Sequence, residues 1–128
     1  MDKFYLIYIP IEEKSSANFK IEHLRSYLER LSTYFKTVYT NTSIVLLINY
    51  NSEDKSQDVW KDINSLLENH DLKAGVSFRF SDLKRLNKYY QQGKLSFNIG
   101  SSLDKKSFMY YYDDYYHFYI LDILGNEK

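Results

Sequence analysis

Histidines and adjacent carboxylates are the residues of this sequence best suited to catalysis or metal binding. The candidates are the carboxylate pairs Glu12-Glu13 and Asp113-Asp114 and the histidines His23, His70 and His117. Paired carboxylates can hold a divalent cation, and neutral imidazole is a common metal ligand. The three histidines, however, do not have metal-site spacing with one another. Neither a serine–histidine–aspartate arrangement nor a phosphate-binding glycine loop can be assembled.

The positions of these residues favour structural roles. Asp113 and Asp114 precede an apolar helical run, where carboxylates cap a helix and face the positive end of its dipole. Glu12-Glu13 follows a proline and is expected in a solvated loop, while His70 is expected at a helix end. His23 is expected to face solvent, and His117 is expected to pack in a tyrosine-rich block or at an interface. We therefore predict no catalytic residue, no cofactor-binding residue and no metal ligand.

Composition limits the class of protein. The 128 residues and 44% hydrophobic content are typical of one folded domain, residues 1–128. Lysine plus arginine and aspartate plus glutamate number 17 each, which argues against a domain that coats nucleic acid. The absence of cysteine excludes a disulfide scaffold and permits the cytoplasmic location that we expect. No apolar run approaches the roughly 18–20 residues that span a bilayer, so no membrane association is expected.

Hydrophobic periodicity predicts strands and helices in alternation. Strands are expected over residues 3–9, 34–40, 43–50, 73–80 and 106–112. Helices are expected over residues 19–32, 59–70, 82–100 and 113–124. The first six elements follow the β-α-β-β-α-β order of a ferredoxin-like core, and an additional helix, strand and helix follow them. The predicted class is therefore α+β, with an antiparallel core sheet and both core helices on one face.

The helix predicted after Ser81-Asp82 contains small residues where larger apolar ones are expected. Ser81 or Asp82 is suited to cap this helix. Its apolar face includes Leu83, Leu86, Tyr90, Gly93, Phe97 and Gly100. Because a glycine inside a helix costs about 1 kcal/mol relative to alanine, Gly93 needs a structural compensation. We expect Gly93 and Ser96 to let another element's backbone approach closely.

The segment "AGVSFRFSDLKRLNKYYQQGKLSFNIG" resembles the signature of the GGDEF-like domain of CdaR/PucR-type transcriptional regulators. The matching residues are Gly75, Val76, Ser77, Leu83, Leu86, Tyr90, Gln92, Phe97 and Gly100. Gly93 and Ser96 replace two alanines that are usual in that family and keep the small-residue character. The segment "FMYYYDDYYHFYILDIL" resembles the strand, acidic turn and helix that follow the signature.

The resemblance implies a fold related to diguanylate cyclases and an internal domain excised from a longer regulator. Its partners would be the other domains of that regulator or a second copy in a homodimer. DNA would be bound only through a helix-turn-helix domain that this chain lacks. A working cyclase of this fold carries magnesium-binding carboxylates at the end of the first strand and in the central hairpin. The hairpin sequence "VYTNTSIV" has no charged residue, so we expect the domain not to be an enzyme.

The 14 tyrosines and the single tryptophan suggest half-buried surfaces. The possible interface residues are Trp60, Tyr112, Tyr115, Tyr116 and Tyr119. For Trp60 we favour a position at the edge of the core, with a role as an interface anchor as the alternative, and the tyrosines could also contact a small ligand. The leading hypothesis is a non-catalytic regulatory domain that transmits a ligand signal or mediates self-association. The alternative is a ligand-binding module with a degenerate nucleotide pocket beside residues 3–9 and 43–50, and a nucleotidyl cyclase with unfamiliar ligands is third.

Overall fold

The computed structural model describes most of the chain. The described residues are 3–11, 24, 26–28, 30, 35–40, 42–50 and 56–125. Within these ranges the chain forms one sheet with helices packed on it, which confirms the predicted α+β class. Glu12-Glu13 and His23 lie outside the described residues, and so does much of the predicted helix over 19–32. Its described residues Leu24, Ser26, Tyr27, Leu28 and Arg30 are helical.

The sheet has five strands and is mixed. The strands are β1 (Lys3–Pro10), β2 (Phe35–Tyr39), β3 (Ser43–Tyr50), β4 (Ala74–Val76) and β5 (Met109–Tyr111). Their order across the sheet is β2-β3-β1-β4-β5. The first three neighbouring pairs are antiparallel, and β5 is parallel to β4. A helical crossover joins these two parallel strands, as their direction requires.

The complete helices follow the predicted order with shifted ends. They are α1 (Ser56–Asn69), α2 (Leu86–Leu103) and α3 (Tyr112–Gly125). A short 3-10 turn, Leu83–Arg85, precedes α2, and the Asp82 side chain accepts a hydrogen bond from the Lys84 amide at 3.0 Å. Asp82 therefore caps the 3-10 turn, whereas α2 itself begins after Arg85 without a side-chain cap, so the predicted capping role is met only at the turn that precedes the helix. In the described part of the chain, no helix is long and apolar enough to cross a membrane.

The main core lies on one face of the sheet, which we call the first face; the opposite face is the second face. Alternate residues of β1 and β3 point into it, including Ile7, Ile9, Leu46 and Ile48. Two helical surfaces cover these residues, formed by Leu24 and Leu28 and by Ile63, Leu66 and Leu67 of α1. These side chains are almost fully buried. Each contributes about 1.5–3 kcal/mol through the hydrophobic effect, so this face supplies most of the apolar stabilisation.

Helix α2 packs on the second face, and its contact with β4 is made by glycines. A Cβ atom placed on Gly75 would lie 1.8 Å from the Gly93 carbonyl oxygen. A Cβ atom on Gly93 would lie 3.1 Å from Cβ of Tyr8 and 3.3 Å from the Gly75 carbonyl oxygen. Ser96 is fully buried beside the same strand. The predicted close backbone approach at Gly93 and Ser96 is therefore confirmed.

The first turns of this helical region differ from the prediction. Leu83 and Leu86 belong to the predicted apolar face but are exposed, and the buried residues of α2 start at Gln92. The reason is geometric, because β4 and β1 lie beneath the middle of α2, where Gly93 contacts them. Leu86 and Tyr90 instead border an open groove above the other strands.

Strand β4 is shorter than the predicted strand over 73–80. Val76 pairs with Ile7, whereas Phe80 forms an isolated bridge with Phe4. The interval from Val76 to Phe80 therefore contains one residue more than the interval from Phe4 to Ile7 that lies opposite it. Such an extra residue defines a β-bulge between Val76 and Phe80. The strand over 73–80 is predicted from the alternation of Val76, Phe78 and Phe80, which would place all three on one side. The extra residue breaks this alternation, so that expectation is wrong.

The loop between α2 and β5 is organised by Asp104. Its carboxylate accepts hydrogen bonds from the Ser107 hydroxyl and from the Lys106 amide at 3.0 Å. These bonds favour the charged carboxylate and hold the pKa of Asp104 below its ordinary value. The Tyr110 hydroxyl donates to the Asp104 and Ser107 carbonyl oxygens, which ties the loop to β5.

Substitution of the contacting glycines tests the packing of α2. We expect Gly75→Ala to lower the free energy of unfolding by about 1–3 kcal/mol or more, because its new methyl group meets backbone that cannot move aside alone. Gly93→Ala should lose less, since its contacts are looser and alanine gains about 1 kcal/mol of helix propensity. Urea denaturation measures both. Gly125→Ala is the control, because no described residue beyond its own helical turn lies within 4 Å of that Cβ position. Equal losses for the three variants would contradict the proposed packing.

The contribution of the Asp104 carboxylate to stability depends on pH. Because the pKa of Asp104 is lowered by folding, its stabilising contribution is present above the unfolded pKa and is lost as the pH falls through the folded value. We expect Asp104→Asn to reduce stability at neutral pH and to converge with the native protein as the pH falls below about 4. Urea midpoints measured across this range check the prediction. A stability difference that is independent of pH would show that the carboxylate charge is not involved.

Candidate functional site

The central hairpin is where the resemblance places catalytic carboxylates, and its described residues are neutral. The Thr40 hydroxyl accepts hydrogen bonds from the Ser43 amide at 2.9 Å and the Thr42 amide at 3.3 Å. It also lies 2.7 Å from the Ser43 hydroxyl. These groups satisfy one another and close the turn between β2 and β3. Throughout the described ranges, no group of three or more His, Cys, Asp or Glu residues could hold a metal ion.

The groove predicted beside residues 3–9 and 43–50 is present and mostly apolar. It encloses about 370 Å³ on the second face of the sheet, next to the start of α2. Leu6, Val45 and Leu47 form its floor, and Leu86 and Tyr90 form one side. Lys36 is the charged residue of this lining. A triphosphate needs several donors or a metal ion, so this groove is poorly suited to a nucleotide.

A second and larger cavity lies where β4 and β5 end. We call it the β4–β5 cavity; it encloses about 730 Å³. The bulge residues Ser77–Arg79, the start of α2 and the first turn of α3 surround it. Carboxyl ends of parallel strands commonly form ligand sites, because the helices that follow diverge there and leave a crevice. The volume is in the range of small-molecule sites.

Two side chains hold the bulge at the base of the β4–β5 cavity. The Ser77 hydroxyl accepts from the Leu6 amide at 3.0 Å and donates to the Phe78 carbonyl oxygen at 2.8 Å. The Gln92 side-chain oxygen accepts from the Phe78 amide at 2.9 Å. Because a backbone amide can only donate, this contact identifies the oxygen of Gln92 and leaves its amide nitrogen on the other side. That nitrogen donates no hydrogen bond to a described residue, although Gln92 is only 7% exposed.

Aromatic residues form one wall of the cavity. The Trp60 ring lies 5.2 Å from the Tyr5 ring in an edge-on arrangement and 6.3 Å from the Tyr111 ring, measured between centroids. Burial raises the pKa of Tyr111, and the nearby Asp114 carboxylate and Tyr5 raise it further. Trp60 thus lies at the edge of the core and faces the cavity; the possible role of this residue in a protein interface stays a prediction.

The rim of the cavity carries charges of both signs. Arg79 and Lys88 lie on the side of the bulge and α2, whereas Asp113 and Asp114 belong to the first turn of α3. None of these four residues forms a salt bridge with a residue that the structure describes. The Lys88 ammonium lies 5.6 Å from the Tyr89 ring centroid, and that ring stacks on Phe80 at 3.9 Å.

The predicted interface tyrosines pack largely on their own molecule. The Phe78 ring contacts Tyr112 and Tyr116, with centroids 4.8 Å and 5.5 Å apart, and Tyr115 packs beside Tyr110 at 6.1 Å. Burial raises the pKa of Tyr115, and the nearby Asp104, Asp114 and Tyr110 contribute to the same shift. The side chain of Tyr119 lies outside the described residues. The Phe78 contacts attach α3 to the bulge, and the Tyr110 contact attaches it to β5.

The C-terminal half of α3 exposes a set of aliphatic residues that the sequence interpretation missed. Ile120, Leu121 and Leu124 are 45%, 62% and 55% exposed. Their spacing places them on neighbouring positions of the helix surface. The sequence "YILDIL" already contains these aliphatic residues, but the interface prediction was based on the neighbouring tyrosines.

His70, Asp113 and Asp114 have the local positions that were predicted for them, whereas His117, expected to pack in the tyrosine-rich block or at an interface, is exposed on the chain itself. His70 follows the last residue of α1, and its amide donates to the Leu66 carbonyl oxygen. His117 is exposed on α3, with its ring 6.0 Å from that of Tyr116. Asp113 and Asp114 lie in the first turn of α3, as predicted. Their additional place at the cavity rim was not predicted, because the cavity combines residues that are distant in sequence.

Comparisons with known proteins add no assignment to this geometry. No family model, curated protein or solved structure matches the chain. The β4–β5 cavity and the aliphatic surface of α3 are therefore the features on which a function can be based.

Removal of the amide that holds the bulge tests the base of the cavity. We expect Gln92→Leu to lower the free energy of unfolding by about 1–3 kcal/mol, because the Phe78 amide loses its acceptor. Urea denaturation measures the loss, and faster hydrogen exchange at the Phe78 amide locates it. Gln91→Leu is the matched control, since Gln91 is the exposed neighbour on the same helix. If both variants lose the same stability, Gln92 does not hold the bulge.

Proposed function

We propose that the chain is a non-catalytic regulatory domain that acts through contacts with other proteins or domains. The support from architecture is the order β2-β3-β1-β4 with antiparallel neighbours, which is the order of a ferredoxin-like core. The helical residues Leu24 and Leu28 and helix α1 pack on the same face of these strands, as that fold requires. The strand β5 and helices α2 and α3 then extend the core.

The chemistry of the hairpin supports a role without catalysis. Cyclase chemistry on this scaffold needs anionic ligands that hold a divalent ion against a triphosphate. The turn from Thr40 to Ser43 contains only neutral side chains, and its described hydroxyls bond to each other and to backbone amides. Nothing in that turn could replace the missing carboxylates.

The observation that carries the proposal is the exposed aliphatic surface of α3, formed by Ile120, Leu121 and Leu124. Apolar surface in water is unfavourable by about 25 cal/mol for each Å², so adjacent exposed aliphatic residues favour association. We propose a second copy of the chain as the partner. Two identical helices related by a two-fold axis can cover each other's aliphatic surfaces without any further component.

Helix α3 also reaches the β4–β5 cavity, which suits a signalling role. Its first turn supplies Asp113 and Asp114 to the rim, and Tyr112 and Tyr116 pack on Phe78 at the bulge. A ligand that shifted the bulge would therefore act on the helix that carries the aliphatic surface. This arrangement is the physical link that a regulatory domain needs between a sensed molecule and a partner.

The resemblance supplies the biological setting of the proposal. We propose that the domain belongs to a CdaR/PucR-like transcriptional regulator and contacts the regulator's other domains. DNA binding would then depend on a helix-turn-helix domain that is not among these 128 residues. The support is the signature over residues 74–100, whose small residues at Gly75, Gly93 and Ser96 meet at the contact of α2 with β4.

Self-association through α3 is directly testable. We expect sedimentation equilibrium to show a monomer–dimer equilibrium for the native chain and a shift towards monomer for Leu121→Lys with Leu124→Lys. The reason is that two charges placed on the aliphatic surface must be desolvated on association. Val38→Lys is the control, because Val38 is 60% exposed on β2, away from α3. A native chain that stays monomeric at millimolar concentration would refute association through this surface.

A second candidate function is small-ligand binding, and the β4–β5 cavity is the observation that favours it. The groove beside β1 and β3 is mostly apolar, with Lys36 as its charged residue, whereas the cavity combines aromatic surface, hydrogen-bond donors and charges of both signs. Sites for small polar molecules combine these groups. We therefore place the ligand in the β4–β5 cavity and not in the degenerate nucleotide pocket expected beside residues 3–9 and 43–50.

A further inference from the structure

We propose that the β4–β5 cavity binds a small zwitterion that carries an alkylammonium group and a carboxylate or phosphate. The anionic oxygens would lie against Gln92, Arg79 and Lys88, and the ammonium group would lie against the aromatic wall beside Asp114. This inference rests on the second candidate function, ligand binding, and is independent of association through α3.

Hydrogen-bond donors and positive charges define the end of the cavity that would bind the anionic group of the ligand. Gln92 lines the cavity, is nine-tenths buried, and has a side-chain nitrogen without an acceptor among the described residues. A buried donor without a partner is unfavourable, so an oxygen acceptor in the cavity would be stabilised there. Arg79 and Lys88 line the same cavity and add two positive charges. Charge-assisted hydrogen bonds to a carboxylate or phosphate are the strongest that such side chains make.

Aromatic rings and carboxylates define the end of the cavity that would bind the ammonium group of the ligand. Tyr5, Trp60 and Tyr111 form the aromatic wall, and Asp113 and Asp114 lie at the rim beside it. An ammonium group is attracted to the face of an aromatic ring, most strongly to tryptophan. A neighbouring carboxylate adds direct attraction and disfavours anions at that end. An alkylated ammonium also places its methyl groups against the apolar rings.

The balance of charge selects a zwitterion over a simple ion. The lining contains two cations and two anions that form no salt bridges with described residues, so each pair remains available to a ligand. A simple anion would satisfy Arg79 and Lys88 but would be repelled by Asp113 and Asp114. A simple cation would be attracted by Asp113 and Asp114 but repelled by Arg79 and Lys88. A ligand with both charges complements both ends of the cavity at once.

Isosteric probes separate these contributions by calorimetry on the full chain. The zwitterions are phosphocholine and glycine betaine. Their carbon isosteres, 3,3-dimethylbutyl phosphate and 3,3-dimethylbutyrate, keep the anion and the shape but lack the positive charge, and choline keeps only the cation. We expect at least one zwitterion to bind about tenfold more tightly than its isostere and than choline, which corresponds to about 1.4 kcal/mol.

Two exposed substitutions assign the two ends. Asp114→Asn should abolish the preference for the zwitterion over its isostere and leave binding of the isostere unchanged or improved. Arg79→Gln should weaken the zwitterion and the isostere alike. Glu68→Gln and Lys84→Gln are charge-matched controls at exposed positions that do not line the cavity. Unchanged melting temperatures confirm that the variants are folded.

The outcomes distinguish the ligand class from the ligand-binding function. If neither zwitterion binds better than its isostere, or if binding survives both substitutions, the zwitterion proposal is wrong. GTP or ATP with Mg²⁺ serves as a further probe, read as a rise in melting temperature. Binding of a nucleotide without a zwitterion preference would leave ligand binding standing and overturn the ligand class. If no probe binds at all, both proposals fail.

Discussion

The contact between the backbones of Gly75 and Gly93 determines how the second face of the sheet is built. A side chain on Gly75 would overlap the Gly93 carbonyl group, so only glycine allows α2 to lie this close to β4. The same approach brings the neighbouring Gln92 to the Phe78 amide and the Ser96 hydroxyl to 3.4 Å from the Val76 carbonyl oxygen. The bulge and the base of the β4–β5 cavity therefore depend on this glycine contact.

The close contact of α2 was predictable from sequence, because small residues inside a helix carry an energetic cost that can be recognised locally. A glycine and a serine inside an amphipathic helix are unfavourable unless something approaches them, and that argument predicted a close contact at Gly93 and Ser96. It could not identify Gly75 as the partner. The length of β4 was overestimated because Val76, Phe78 and Phe80 alternate as in a strand. The hydrogen bond that fixes the bulge comes from Gln92, 14 residues further along the chain, and such tertiary bonds leave no local pattern.

The candidate site was harder to predict, since its residues come from separate elements. Tyr5 lies on β1, Trp60 on α1, Lys88 on α2 and Asp114 on α3, and only the folded sheet brings them to one cavity. Sequence reasoning assigned helix-terminal roles to Asp113 and Asp114, and they do lie in the first turn of α3. The two roles are compatible, because a carboxylate at a helix N-terminus is exposed at the point where the preceding strand ends.

Helix α3 joins the two surfaces to which functions are proposed, and this has a thermodynamic consequence. Its first turn borders the cavity, its aromatic residues pack on the bulge, and its second half exposes aliphatic residues. If a ligand stabilises one position of α3 and a partner also prefers that position, each strengthens the binding of the other by the same factor. The coupling can be no larger than the difference in ligand affinity between the two positions. Helix α3 also packs against α2 and β5, and the contacts of Phe78 with Tyr112 and Tyr116 join it directly to the bulge, so a displacement of the bulge acts on this helix.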